Sequence, residues 1–372
     1  MISKTFFDSI QKHYKSKLPF VVYRNPKEIE LKAFLQKNDT IYKVSDFTES
    51  GFVFSPFDDE KPTVMIPVEH SDSIHTEFEI NSDTKSIQTN FLENKIARQS
   101  HISLIQKGIN AINNHQFIKV VLSRQEVIKL NEDNPIHVLK RLLNAYISAF
   151  VYCWYHPKIG LWIGATPETL MKVNGNRFST MALAGTKVYN GTLDIEWQEK
   201  EKEEQQIVAN FIIDSLKASV DDLDISKTIT VKAGNLLHLN SEISGTFNFK
   251  TSNLKGLLDI LHPTPAVCGF PKAITKRFIL ENESYDREYY TGFLGELNVK
   301  EKYKRNSNKR NVENNAYVSI KTISNLFVNL RCMQLKNNTA ILYVGGGITK
   351  DSNSRSEWQE TVSKSLVMKN ML

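Results

Sequence analysis

The sequence predicts an α+β fold in which antiparallel sheets are flanked by helices. Three observations carry that prediction. Apolar runs of strand length follow one another across short turn signals, as strands of an antiparallel sheet do. Segments of helical period flank these runs, which favours α+β over a doubly wound sheet. The chain has 372 residues, of which 41% are apolar and 24% charged, enough for a large core and unlike a disordered or fibrous composition.

In chain order, residues 1–90 read as a small N-terminal α/β portion of the same fold, and 91–372 as its larger part. Gly51–Phe57 and Pro62–Val68 alternate as short strands around the turn-rich Asp58-Asp59-Glu60-Lys61. The polar stretch His70–Asn90 is the expected linker. Beyond it, Ile96, Ile102, Ile105, Ile109 and Ile112 recur at near-helical spacing. Phe117–Leu130 carries apolar residues on both faces, which predicts a buried strand with Lys119 inside it. Asn134-Pro135 opens a helix with proline at its first position. A meander of three strands follows from Ile147 to Thr186 (SAFVYCWYH, GLWIGATPETLMKV, RFSTMALAGT), with a hairpin turn at Val173–Asn176. Glu196–Leu223 is helical by period. Leu254–Leu261 is a short helix stopped by Pro263, and Pro271 starts another. Strands near Leu326–Leu335 and Thr339–Val344 precede a last helix from about Ser356.

Composition narrows the function. Cys153, Cys268 and Cys332 are odd in number and form no CxxC pair, so they read as small buried hydrophobes rather than a disulfide or zinc framework. The start, MISKTFFDSIQKHYK, lacks an apolar signal core, and the most apolar window, Ala145–Ala165, is broken by His156, Pro157 and Lys158. A cytoplasmic protein without a membrane partner is expected. An excess of 47 basic over 41 acidic residues gives +6, which suits an anionic small substrate or a nucleic acid. Much of it lies in Lys300–Arg310, read as a solvated loop.

Four constellations bear chemistry. Glu201, Glu204, Val208, Phe211 and Ser215 share one helical face, and so do Glu357, Glu360, Lys364 and Val367. Two Glu-x-x-Glu pairs in line with core positions suit a hard divalent cation, although the first alone also fits a solvated opening turn. Gly345-Gly346-Gly347 follows the strand ILYV and reads as a turn whose amides approach an anion. Leu261-His262-Pro263-Thr264-Pro265 is a rigid turn carrying a histidine. Glu168 beside Pro167 implies a bulge or edge that re-aims its carboxyl.

The order of these motifs is more telling than any one of them. KVVLSR (119–124), GATPETL (164–170), ALAGT (182–186), KEKEEQQIV (200–208), LHPTPAVCG (261–269), ESYDREYYTG (283–292), FVNLR (327–331), GGGI (345–348) and EWQET with Lys364 (357–364) together strongly resemble the chorismate-utilising enzymes. The resemblance runs from about Asn94 to the end, and implies the large two-lobed mixed fold of anthranilate and isochorismate synthases.

It also implies roles. In this family Mg²⁺ sits on the ring carboxylate of chorismate, and a nucleophile attacks C2 as the C4 hydroxyl leaves. By resemblance, Glu204 and Glu360 ligate the metal, with Glu201 and Glu357 contributing directly or through water. Arg331 and Lys364 bind carboxylate. The amides of Gly345, Gly346 and Gly347 and the Tyr290 side chain contact the enolpyruvyl carboxylate. Gly185 and Thr186 line the ring pocket, and His262 lies beside it. Lys119 matches the lysine that activates water, and Glu168 the acid that protonates the departing hydroxyl. Ala184 stands where aminodeoxychorismate synthases carry a nucleophilic lysine. The chain departs from the usual Asp-Arg at Glu201-Lys202 and from the usual His at Gln205, which alters hydrogen bonding behind the metal.

The expectation is a Mg²⁺-dependent isochorismate synthase, monomeric or weakly dimeric, serving menaquinone or a catechol siderophore, with chorismate as partner and no nucleic acid. A salicylate synthase is the alternative within the family. Around the ring, Val267, Tyr290, Leu330 and Tyr343 separate the two outcomes by packing. A non-catalytic nucleic-acid-binding relative is the alternative outside it, and the complete set of Lys119, Glu168 and four glutamates speaks against that.

Overall fold

Side-chain alternation decides how this chain layers. In the stretch Phe150–His156, Phe150, Tyr152 and Trp154 join one core while Val151 and Cys153 join another, and all five are buried. A strand buried on both faces belongs in the middle of a layered structure. The computed structural model describes residues 3–80, 94–130, 134–247, 253–304 and 318–372.

Helix α1 (Ser3–Lys15) leads into strands β1 (Phe20–Arg24), β2 (Glu30–Gln36), β3 (Tyr42–Lys43), β4 (Gly51–Ser55), β5 (Val64–Pro67) and β6 (Ser71–Glu77). Helix α2 (Lys95–Asn113), strand β7 (Lys119–Lys129) and helix α3 (Pro135–Ala145) precede β8 (Phe150–His156), β9 (Gly160–Thr166), β10 (Thr169–Asn174) and β11 (Arg177–Val188). Next come α4 (Glu199–Leu216), β12 (Val220–Ile225), β13 (Ile229–Ala233), β14 (Leu236–Phe247), α5 (Leu254–Leu261), β15 (Gly269–Phe270) and α6 (Lys272–Asn282). The chain closes with β16 (Phe293–Lys304), β17 (Val318–Val328), β18 (Cys332–Lys336), β19 (Thr339–Ile348) and α7 (Ser354–Lys369).

The strands form two large sheets. One has nine strands in the order β15-β7-β19-β18-β9-β8-β1-β2-β6. The other has ten, with β12-β14-β11-β10-β17-β16-β4-β5-β3 in line and β13 paired to β14. Between the sheets lies an aromatic layer. Tyr23, Phe34, Phe150, Tyr152, Trp154 and Trp162 of the first meet Phe52, Phe54 and Phe327 of the second. The rings of Phe150 and Phe327 stack with centroids 4.1 Å apart. Helices α1, α3 and α7 cover the outer face of the first sheet, and α4 and α5 that of the second. Each large apolar side chain buried in this way contributes roughly 1.5–3 kcal/mol. The three cysteines are free and buried. Among the described residues, no helix is long and apolar enough to cross a membrane.

Several elements differ from the sequence reading. The expected linker His70–Asn90 begins with β6, which pairs with β2; residues 81–93 lie outside the described residues. Strands from residues 20–77 lie in both sheets. The run GLWIGATPETLMKV is two strands, because Pro167 and Glu168 carry the chain from the first sheet (β9) to the second (β10). Leu326–Leu335 is broken likewise, at Asn329–Arg331, between β17 and β18. The helix expected to reach Leu223 ends at Leu216, its last buried apolar position, and Val220 starts β12. Lys300–Lys304 completes β16, and residues 305–310 of the basic stretch lie outside the described residues. The glycine triplet is not a turn. It continues β19 and pairs Gly345, Gly346 and Gly347 with Ser123, Leu122 and Val121 of β7.

Candidate active site

The two places where the chain changes sheet lie against each other. The Thr166 hydroxyl donates to the Val328 carbonyl at 2.6 Å, and the Val328 amide donates to the Glu168 carbonyl at 3.0 Å. This tie holds Glu168, on one crossing, close to Arg331, on the other. Burial pushes the Glu168 carboxyl up to about 7, against the opposing pull of Lys119, Arg331 and Lys364.

Arg331 takes a positive φ of 48° at the crossing, which turns its side chain inward. One terminal nitrogen donates to the Ala233 carbonyl at 2.9 Å, and the other meets His238 Nε2 at 2.6 Å. A guanidinium only donates, so Nε2 must accept. His238 Nδ1 then carries the proton and donates to the Gly185 carbonyl at 2.7 Å. Burial and Arg331 both hold the imidazole well below its ordinary pKa, so it is neutral.

Lys119 on β7 is fully buried, with Nζ 2.9 Å from Glu204 Oε1 on α4. Burial alone would raise the Glu204 carboxyl; Lys119 outweighs it and holds that carboxyl below the ordinary range. This contact lies over β19, and here the absence of side chains matters. A Cβ on Gly347 would lie 2.2 Å from Glu204 Oε1 and 3.1 Å from Lys119 Cε. A Cβ on Gly346 would lie 3.4 Å from Glu360 Oε1 and 3.7 Å from Glu357 Oε2. A Cβ on Gly345 would lie 3.1 Å from the Tyr290 hydroxyl. Glycine at 347 makes room for the Glu204 carboxylate, while Glu360 and Glu357 stand in ordinary contact with the strand at Gly346.

A cavity opens beside this strand. Its walls include Glu168, Gly185, Thr186, Glu204, Tyr290, Arg331, Gly345, Gly346, Gly347 and Lys364, and also Val267, Leu330 and Tyr343. Lys119 lies behind Gly347 and Glu204. Lys364 donates to the Gly345 carbonyl at 3.1 Å and pairs with Glu360 at 2.7 Å.

A family description, chorismate binding enzyme, matches residues 55–303 and again residues 316–370. The chain belongs to the chorismate-binding enzymes. It is 30% identical to isochorismate synthase EntC of Escherichia coli K12 over 270 residues, 69% of this chain and 62% of that protein. The alignment thus spans less than two thirds of that relative's length. The fold is similar to MenF, the menaquinone-specific isochorismate synthase from Escherichia coli, with TM-score 0.75, 18% identity and coverage of 95% of this chain and 88% of that one. It is also similar to anthranilate synthase component I from Streptococcus pneumoniae, with TM-score 0.62, 19% identity and coverage of 94% and 92%.

In this chorismate-binding enzyme two expected site residues sit differently. Glu201 caps its own helix: the Gln198 amide donates to its carboxylate at 3.1 Å, and its Cβ packs against Gly185. Glu201 is therefore engaged by the backbone. His262 is not on the cavity wall. Its ring meets Phe293 edge-on and its Nε2 lies 3.4 Å from the Pro56 carbonyl, because the turn after α5 points it between the N-terminal strands and β16. Gln205, where the family usually has His, donates to the Ser241 hydroxyl at 3.0 Å behind α4. Two residues escaped the sequence reading. His238 had a signal, as a polar residue on the inward side of an apolar strand. Lys200, whose Nζ is 2.5 Å from Glu357 Oε1, had none beyond its place among acidic neighbours.

Proposed function

We propose that the chain is an isochorismate synthase. The observation that carries this reading is a buried Glu168 whose carboxyl is raised, in the wall of a cavity that also presents Arg331 and Lys364, with Lys119 of β7 behind the same wall at Gly347. Arg331 and Lys364 bind and orient the dianionic chorismate, and Arg331 is held in its working geometry by His238 and Ala233. Lys119, as its neutral amine, accepts a proton from the water whose oxygen bonds to C2 and becomes the ammonium that pairs with Glu204. Glu168 donates its proton to the C4 hydroxyl, which leaves as water while the ring double bonds shift. One water enters and one departs, and the two side chains exchange a proton to restart.

Magnesium fits the residues present. The donors are all carboxylate oxygens around a glycine strand, and the Lys200 ammonium already supplies positive charge among them. Among the described residues no three acidic, histidine or cysteine side chains converge as a ready metal cluster, and each of Glu204, Glu357 and Glu360 is paired with a lysine. Glu204 and Glu360 would hold Mg²⁺, with Glu357 assisting. The ion would neutralise and orient the ring carboxylate. The product serves menaquinone or a catechol siderophore.

The product distinguishes this reading from a salicylate synthase. A long incubation with chorismate and Mg²⁺ at neutral pH, separated by chromatography, is expected to show chorismate and isochorismate together with little salicylate. Stoichiometric salicylate and pyruvate would overturn the assignment.

The pH profile follows from Glu168. An acid works only while protonated, and a carboxyl raised to about 7 keeps its proton below that pH and loses it above. The kcat/KM profile is expected to carry a falling limb as pH rises through about 7, and this limb is expected to vanish in Glu168→Gln. A limb unchanged in that variant would assign it to another group.

A further inference from the structure

Three lysines stand against three carboxylates. Lys119 pairs with Glu204 at 2.9 Å, Lys364 with Glu360 at 2.7 Å and Lys200 with Glu357 at 2.5 Å. Lys119 and Lys364 have work in the reaction above, whereas Lys200 has none. Its location is costly in other respects. It lies in the first turn of α4, where the helix dipole disfavours a cation. Its side chain is only 25% exposed. Glu357, Glu360 and Glu204 all act on this ammonium electrostatically. The ammonium therefore sits within the field of all three carboxylates, where like charges would otherwise repel.

We propose that Lys200 is a built-in counter-cation, which holds the acidic cluster in the substrate-free protein and must withdraw before a divalent cation can take those oxygens. The inference rests on the metal reading above and assigns Lys200 a positioning role toward that site. An ammonium 2.5 Å from Glu357 Oε1 competes with a divalent cation for the same carboxylate charge and repels its approach. Lysine suits a removable charge, since its flexible four-carbon stem can swing the head into solvent. Binding of a metal to the free protein is then weakened by the cost of breaking the Lys200–Glu357 pair.

The test is a titration with Mn²⁺ alone, in the absence of chorismate, following free Mn²⁺ by electron paramagnetic resonance. Lys200→Met keeps the stem and removes the charge, and is expected to bind Mn²⁺ at least about tenfold tighter than wild type. Lys200→Arg is expected to stay within about twofold of wild type. If methionine prevents folding, Lys200→Gln carries the same expectation. Thermal denaturation gives a second readout: without metal the uncharged variant melts below wild type, and Mn²⁺ raises its melting temperature more. Equal or weaker Mn²⁺ affinity in the uncharged variants, with wild type binding Mn²⁺ normally, would overturn the role of Lys200 alone. Absence of Mn²⁺ binding in every protein, with chorismate present as well, would overturn the metal reading and this role with it.

Discussion

Lys119→Ala and Glu168→Gln are each expected to lower kcat by about 10²–10⁴-fold, the usual cost of removing a general base or acid. Both changes are suited to separating chemistry from folding. Glutamine keeps the shape of Glu168, and the carbonyl that accepts from Val328 belongs to the backbone, so the tie between the two crossings survives. Alanine at 119 leaves the pairing of β7 with β19 in place, because register there is carried by the backbone and by Val120 and Leu122. Circular dichroism of both variants is expected to match wild type. Near-normal kcat in either one, with an unchanged spectrum, would remove that residue from the mechanism.

Chelation is expected to have an effect of similar size. EDTA should silence the enzyme and Mg²⁺ should restore it, while Glu204→Ala and Glu360→Ala should stay inactive at any Mg²⁺ concentration. The two carboxylates approach the same glycine strand from different helices, so neither can replace the other. Loss of Glu204 also leaves Lys119 without its partner 2.9 Å away, and an unpaired buried charge is costly. Full activity in excess chelator would sink the metal site.

Much of this site was legible in the chain because its parts obey local rules. The two Glu-x-x-Glu faces follow from helical period, and the structure brings Glu204, Glu357 and Glu360 around β19. Helix α3 starts where Asn134-Pro135 said it would, with the Asn134 side chain accepting from the Ile136 amide at 3.1 Å. Lys119 was placed in a buried strand because apolar residues flank it on both faces. What stayed illegible depends on partners remote in sequence. Nothing local tells Pro167-Glu168 or Asn329–Arg331 to leave one sheet for the other. The glycine triplet has the composition of a turn, and only pairing with β7 makes it a strand. Glu201 lies on the expected face, but the free amides of the helix start claim it first. His262 and Lys200 illustrate the same limit from opposite sides: one was expected at the cavity and points elsewhere, the other was overlooked and pairs with Glu357.

The pairing of β7 with β19 has a consequence for biogenesis. Arg124 of β7 donates to Thr361 of α7, a residue 237 positions further on, and Tyr23 of β1 donates to Glu296 of β16 across 273 positions. A ribosome delivers the lysine-bearing strand long before the glycine strand and the last helix that complete its surroundings. Until then β7 lacks the neighbour that covers its edge, and the N-terminal strands lack theirs, so aggregation-prone edges stay open for much of translation. Such a topology folds slowly for its size, because distant loops must close before the contacts that reward them form. The proposed site is therefore complete only once α7 is made, and a product truncated before α7 would keep most of the fold's mass but lack Glu357, Glu360 and Lys364.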